Sequence, residues 1–338
     1  MWRHPVLQIL NSGGRDILPG LAGLWIDCTV TDGAGEESDG AEISCVGPPS
    51  RFGLPSRGAK YTILGGWADE GPVLQGVYTV QTITLRGSPE EGDRIAIKLR
   101  AADYIDKLKA HGSRHYDEGS FGELVGKVAK EAGLEAAVSP EIGAIKLPYQ
   151  LRWSQSPIDF LRDIGRRYGA VVKPAGGKLV VLKRGSGQSA SGLALEPIII
   201  KRRGGYGYEI ETEPRPDVGH VAAAWHDGKS GRRKLVKRST GRDGPIFVAP
   251  HLFASEAEAQ AAADAEAYER SNNSGSGHFD SPGLPRARAE APVIVSGYGW
   301  PIDGQWKAET VTKRWTAQGG FETTVNVKAG KERKDKQM

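Results

Sequence analysis

A segment near the start of this chain returns near its end, and that repeat constrains the fold more than any single motif. The first copy reads GVYTVQTITLRGSPEEGDRIAIKLRA from Gly76 to Ala101, and the second reads GQWKAETVTKRWTAQGGFETTVNVKA from Gly304 to Ala329. Gly76 aligns with Gly304, Tyr78 with Trp306, Thr82 with Thr310, Ile83 with Val311, Thr84 with Thr312 and Arg86 with Arg314. Upstream, Leu54-Pro55 matches Leu284-Pro285, each ahead of a short apolar run, Tyr61–Leu64 and Pro292–Val295. Both copies alternate in the way of half-buried strands around a turn, so the chain is expected to build one β unit twice.

The rest of the chain is punctuated for strands. With 46 Gly and 20 Pro in 338 residues it has many turns, and β-branched runs at Leu24–Val30, Ala41–Val46, Lys60–Leu64, Gly76–Arg86 and Arg94–Ala101 read as strands of a small barrel or sandwich. Helical signals are few and local. Ser120 with Glu123 forms a capping box ahead of Leu124, Val125, Val128 and Ala129, with Gly133 as the stop. Ser156 with Pro157 opens a second helix that turns Ile158, Phe160, Leu161 and Ile164 inward. AVVKPAGGKLVVLKRG then reads as a hairpin, and Ser255–Ser271, with Glu258 three residues after Ser255, as one long alanine-rich helix. The expected class is mainly β with α+β insertions: two tube-protein-like β-barrels in pseudo-repeat, plus smaller α/β domains. The expected boundaries are 1–104 for the first barrel, 105–192 for an α+β domain and linker, 193–227 with 285–330 for the second barrel, 228–284 for an insertion carrying the long helix, and 331–338 for a basic tail.

Little in the chain points to chemistry. GSGQSASG (Gly185–Gly192) resembles a phosphate loop, but no helix follows to receive a phosphate, so it reads as a linker. His111 and His115 have zinc-site spacing, but Gly-Ser-Arg between them favours a solvated loop. Glu90, Glu91 and Asp93 cluster in a turn without the apolar pocket a hydrolytic acid needs, and no G-x-S-x-G elbow occurs. No metal, cofactor or catalytic residue is expected. Cys28 and Cys45 read as reduced, half-buried thiols. The 45 basic and 41 acidic residues are nearly balanced, unlike a dedicated nucleic-acid binder. The basic run Arg232, Arg233, Lys234, Lys237 and Arg238 reads as an exposed hairpin contacting acidic neighbours in an assembly, and Trp67 and Trp300 as core or interface packing. Without a secretory h-region in Met1–Leu10 or a long apolar run, the protein is expected to be soluble, made in the cytoplasm, and free of stable nucleic-acid or membrane binding.

The order of these features resembles the phage late control gene D proteins, baseplate hub proteins related to the hub region of the type VI secretion spike protein. The resemblance covers nearly the whole chain: LP-x-RGA (Leu54–Ala59), GxYxV (Gly76–Val80), RAAD (Arg100–Asp103), the capped helix FGELVGKVAKEAGL, SPIDFLRDIGRRYGAVVKPAGGKLVVLKRG and the closing strand pair at Trp306–Val327. It implies a non-enzymatic homotrimer, a pseudo-six-fold ring joining a six-fold tail tube to a three-fold central spike. Its partners would be a tail tube protein or tube initiator, a separate spike protein and baseplate wedge proteins, and its place the virion tail or a tail-like particle. The chain ends in KAGKERKDKQM without a repetitive β-helix, hence the separate spike. Two other readings stay open: a spike-associated cell-wall hydrolase, and a nucleic-acid-binding module using Gly231–Arg238.

Overall fold

The computed structural model describes residues 3–34, 39–56, 58–90, 92–101, 107–175, 178–184, 187, 193–211, 218–241, 243–271 and 275–329. Glu91, Arg57, most of the Gly185–Gly192 linker and the 331–338 tail lie outside them.

The chain opens with six strands: β1 (Pro5–Asn11), β2 (Trp25–Gly33), β3 (Gly40–Val46), β4 (Lys60–Trp67), β5 (Gly71–Ser88) and β6 (Gly92–Arg100). An α+β segment follows, with β7 (Gly112–Tyr116), β8 (Gly119–Ser120), α1 (Phe121–Ala132), β9 (Glu135–Val138), α2 (Pro140–Gly143), β10 (Lys146–Leu147), β11 (Gln150–Gln155), α3 (Pro157–Arg167), β12 (Ala170–Ala175) and β13 (Lys178–Lys183). Next come β14 (Ile198–Lys201) and β15 (Tyr208–Glu211), then β16 (His220–Asp227), β17 (Arg232–Ser239), β18 (Ile246–Phe253) and α4 (Glu256–Ser271). The chain closes on β19 (Ser276–Pro282), β20 (Pro292–Ser296), β21 (Gly304–Thr316) and β22 (Phe321–Ala329). No helix among the described residues is long and apolar enough to cross a membrane.

The repeat is real at the level of topology. β1–β6 pair in the order β1-β4-β5-β6-β3-β2, and β14, β15 and β19–β22 pair in the corresponding order β14-β20-β21-β22-β19-β15. Even the irregularity repeats: the β5–β6 register shifts between Val80 and Thr82, and the β21–β22 register shifts between Ala308 and Thr310, the aligned positions. A bulge inserts one residue and bends its strand, so its recurrence marks a shared design. The halves differ at one edge, where β1 runs antiparallel to β4 but β14 runs parallel to β20.

The expectation of two closed barrels is not met. All twelve strands belong to one sheet, and among the described residues no pairing of β1 with β2, or of β14 with β15, closes either half. Closure requires both end strands of a half to spend their outer edges on each other. Here β2 spends its outer edge on β21, from Asp27↔Thr316 to Gly33↔Thr310. One edge of β21 is therefore divided, with Gly304–Lys307 serving β20 and Thr310–Thr316 serving β2. The order of strands also moves two boundaries. β16 pairs with β17 and β18 in a separate three-stranded sheet instead of joining the second half, and β19 lies inside the large sheet between β22 and β15 instead of in the insertion.

Each unit has its own apolar core. Ile9, Cys28, Val30, Ile43, Ile63, Tyr78, Val80 and Leu99 fill the first half together with Trp315 and Phe321 of the second. Ile200, Phe279, Val293, Trp306, Val311 and Val325 fill the second. In the α+β segment, α1 buries Phe121, Leu124, Val125, Val128 and Ala129, and α3 buries Ile158, Phe160, Leu161 and Ile164, as their spacing predicts. Both starts are capped as read: Ser120 and Glu123 form the reciprocal box, and the Asp159 amide donates to Ser156 Oγ. Ser156→Ala is expected to cost about 1–2 kcal/mol, read as a lower urea midpoint at unchanged slope. Alanines 259, 263 and 267 of α4 pack on Val221, Ala223, Val236 and Phe253 of the small sheet.

Candidate assembly interface

The two halves meet where β2 crosses to β21, and the residues there are unusual for a strand surface. The TVTKRWT pattern of β21 alternates, sending Val311, Lys313 and Trp315 to the buried side and Arg314 outward. Trp315 is opposite Cys28, and Lys313 is opposite Val30. The Trp315 ring stacks on Phe321 with centroids 4.3 Å apart, and Phe321 in turn meets Trp67 at 5.2 Å. Room for Trp315 exists because Gly65 has no side chain, since a Cβ there would sit 2.5 Å from the indole. On the outer face Arg314 pairs with Asp27 at 2.6 Å.

Lys313 is the most costly residue in the joint, being only 1% exposed. Its Nζ donates to Gln75 Oε1 at 2.7 Å and to the Pro285 carbonyl at 2.9 Å. Burial, helped by Arg288, pulls its pKa down to about 7. Nearby, Lys173 of the α+β segment reaches across to Asp39 at 3.3 Å and Asp32 at 3.7 Å. Burial and the neighbouring Asp32 push Asp39 up to about 6, against the pull of Lys173. Burial works against the Lys173 ammonium as well, but Asp39 and Asp32 outweigh it and hold its pKa above the usual value. This triad ties the α+β segment to the first half.

Among the described residues four strand edges of the large sheet have no second strand beside them: β1, β14, β15 and the far end of β5. Only the last two have counterparts in the other half that are paired, β2 and β21. β5 pairs with β4 only as far as Thr79, so among the described residues Thr82–Gly87 has a strand partner on one side alone, β6. β15 pairs with β19 and with no second strand among the described residues. Leu85 is 48% exposed and Tyr208 41% exposed on these edges.

The residues singled out from sequence fall in different places. The basic run forms β17, where strand alternation splits it. Lys234 pairs with Asp227 at 2.6 Å and Arg238 with Asp264 at 2.5 Å, on the face that turns Val236 toward α4. Arg233 and Lys237 alternate to the other face, and Arg232 is exposed at the strand's start. Hydrogen bonds from Lys234, Ser230 and the Lys229 amide hold Asp227 well below the usual carboxylate range. Trp67 is buried, and its indole donates to the Gly283 carbonyl of the second half at 2.8 Å. Trp300 is 75% exposed. His111 immediately precedes a strand, β7, and His115 lies within it, instead of both standing in a loop, with His111 Nδ1 3.1 Å from the Ser154 carbonyl oxygen and His115 stacked on Tyr149. Glu90 is exposed in the β5–β6 turn, and Asp93 is exposed at the start of β6. Cys28 and Cys45 are free and fully buried, not half-buried, because β2 and β3 are interior strands of the sheet. Burial pushes the Cys45 thiol up to about 11 and Cys28 higher still, so both are inert thiols. Lys313, Asp32, Asp39 and Lys173 escaped sequence reading, since a charged residue announces its burial only through partners that are distant in the chain: Gln75 and Pro285 for Lys313, and Lys173 for the two aspartates.

No family model matches the chain. It is 28% identical to the probable baseplate hub protein of Escherichia phage P2, over 94% of this chain and 92% of that one. Among solved structures it is similar to a tail protein from Neisseria meningitidis, with TM-score 0.69 at 12% identity, covering 96% of each chain. It is also similar to a component of the E. coli type VI secretion system described as resembling the T4 tail proteins gp27 and gp5. There the TM-score is 0.55 at 8% identity, covering 91% of this chain and 74% of that one.

Proposed function

We propose, starting from the membership of this chain in the family of phage baseplate hub and tail proteins related to type VI secretion spike proteins, that it is a hub whose three copies close a ring. The family is structural, and the chain is a component of the phage tail baseplate. The ring joins a six-fold tail tube on one side to a three-fold spike on the other, with wedge proteins around it.

One observation carries this reading: a single chain holds two six-strand units of the same strand order, already joined edge to edge. Three such chains present six near-equivalent units about one axis, which lets one object meet both a six-fold and a three-fold neighbour. The basic residues Arg232, Arg233, Lys234, Lys237 and Arg238, with Trp300, serve as contacts to neighbouring baseplate proteins, and Trp67 serves the joint within the chain.

Light scattering over a concentration series, with and without the spike protein, tests it. A mass of three chains is expected, alone or on adding the spike. A chain that stays monomeric with the spike present overturns the ring.

A further inference from the structure

We infer that β15 and the far end of β5, whose counterparts β2 and β21 pair within the chain, are complementary, and that β15 of one copy pairs with Thr82–Gly87 of β5 in the next copy, in a register fixed by the joint already present within each chain. The inference rests on the ring reading and adds its contact surface.

The register follows from the repeat. The ladders β2-β3-β6 and β15-β19-β22 superimpose Cys28 on Tyr208, Thr29 on Glu209, Val30 on Ile210 and Thr31 on Glu211. The hairpin alignment superimposes Thr312 on Thr84, Lys313 on Leu85, Arg314 on Arg86 and Trp315 on Gly87. Within the chain, Cys28 faces Trp315, Thr29 faces Arg314, Val30 faces Lys313 and Thr31 faces Thr312. Between chains, Tyr208 then faces Gly87, Glu209 faces Arg86, Ile210 faces Leu85 and Glu211 faces Thr84.

Three of these four pairs have a specific physical ground. In the existing joint a large residue, Trp315, lies over a small one, Cys28; in the new joint the sizes are exchanged, with Tyr208 over Gly87. The buried Lys313–Val30 pair becomes the apolar pair Leu85–Ile210. Leu85 is 48% exposed in the free chain, whereas Lys313 and Val30 are 1% and 2% exposed in the filled joint. The charges also match. Arg86 stands directly across from Arg94 on β6, a like-charge pair, and has no carboxylate partner among the described residues. Its counterpart Arg314 has Glu322 across from it and Asp27 beside it. Glu209 supplies the missing carboxylate from the neighbouring copy. Edge-to-edge pairing of this kind also satisfies backbone groups that an open edge leaves to solvent.

Two experiments on the full-length chain test the register. Arg86→Glu and Glu209→Arg should each raise the concentration at which the trimer dissociates by at least about tenfold, because three joints per ring each gain a like-charge contact, and the double variant should restore it. Separately, a chain carrying Leu85→Cys and Ile210→Cys should oxidise to covalent dimers and trimers, while Thr82→Cys with Ile210→Cys, three residues out of register, should not. Trimers indifferent to both charge variants and never cross-linked at 85–210 overturn the register while leaving the ring intact. A chain that never trimerises overturns the ring and this joint together.

Discussion

Trp315→Ala is expected to lower the unfolding free energy by about 4 kcal/mol, the largest loss from any single side chain in the joint. The indole is 1% exposed, stacks on Phe321 and fills the space over Gly65. Its neighbours cannot collapse into the void, because Gly65 belongs to a paired strand and Phe321 is held between two tryptophans. The loss combines transfer of the ring to water with the unfilled cavity. Denaturant unfolding followed by tryptophan fluorescence measures it, and a cost under 1 kcal/mol would show that the first half does not depend on the second for its core. Gly65→Ala, which leaves Trp315 present but displaces it, should lower the same midpoint by way of overpacking.

Lys313→Met is expected to change sign with pH. In the folded chain Lys313 releases its proton at about 7, against an ordinary value of 10.5. Between those values the unfolded chain binds more protons, so stability rises with pH across that window and the ammonium is fully penalised below pH 7. At one pKa unit per about 1.4 kcal/mol the full swing is on the order of 5 kcal/mol. The methionine variant has no such swing, but it leaves Gln75 Oε1 without the Nζ donor, a loss of about 1–3 kcal/mol. The Pro285 carbonyl keeps a donor in Gln75 Nε2. The variant should therefore be more stable than the parent by about 2 kcal/mol at pH 6 and lose that advantage as the pH approaches 10. Urea titrations of both chains at matched pH give the difference directly, and a difference constant between pH 6 and 10 would mean that Lys313 is not buried as an amine.

What could be read from the sequence was local or repeated. Capping residues such as Ser120 and Ser156 act within three positions of themselves, so their helices are legible without any tertiary knowledge. The repeat was legible because two hairpins with the same bulge keep the same residues on the same face. Pairing between distant strands leaves no such trace. Val30 and Lys313 are far apart in sequence, and nothing near either announces the other, so the single sheet in place of two barrels could not be read from periodicity. For the same reason nothing in the sequence marks Lys313 as a buried lysine: its counterpart Leu85, on a strand without a β2-like partner there, is 48% exposed, while Lys313 beside β2 is 1% exposed. The small sheet of β16, β17 and β18 was hidden because a parallel pair, β16 with β18, forms across an intervening strand.

The crossing of β2 to β21 also bears on how assembly responds to dilution. Contacts between separate molecules weaken as protein is diluted, whereas a contact between two parts of one polypeptide feels an effective concentration set by the tether. With β2 and β21 on one chain, this seam forms as the chain folds and persists at any concentration. A hexameric circle of independent units would need six bodies to meet. Linked pairs need three, so the proposed ring would close at concentrations where unlinked halves would remain dispersed.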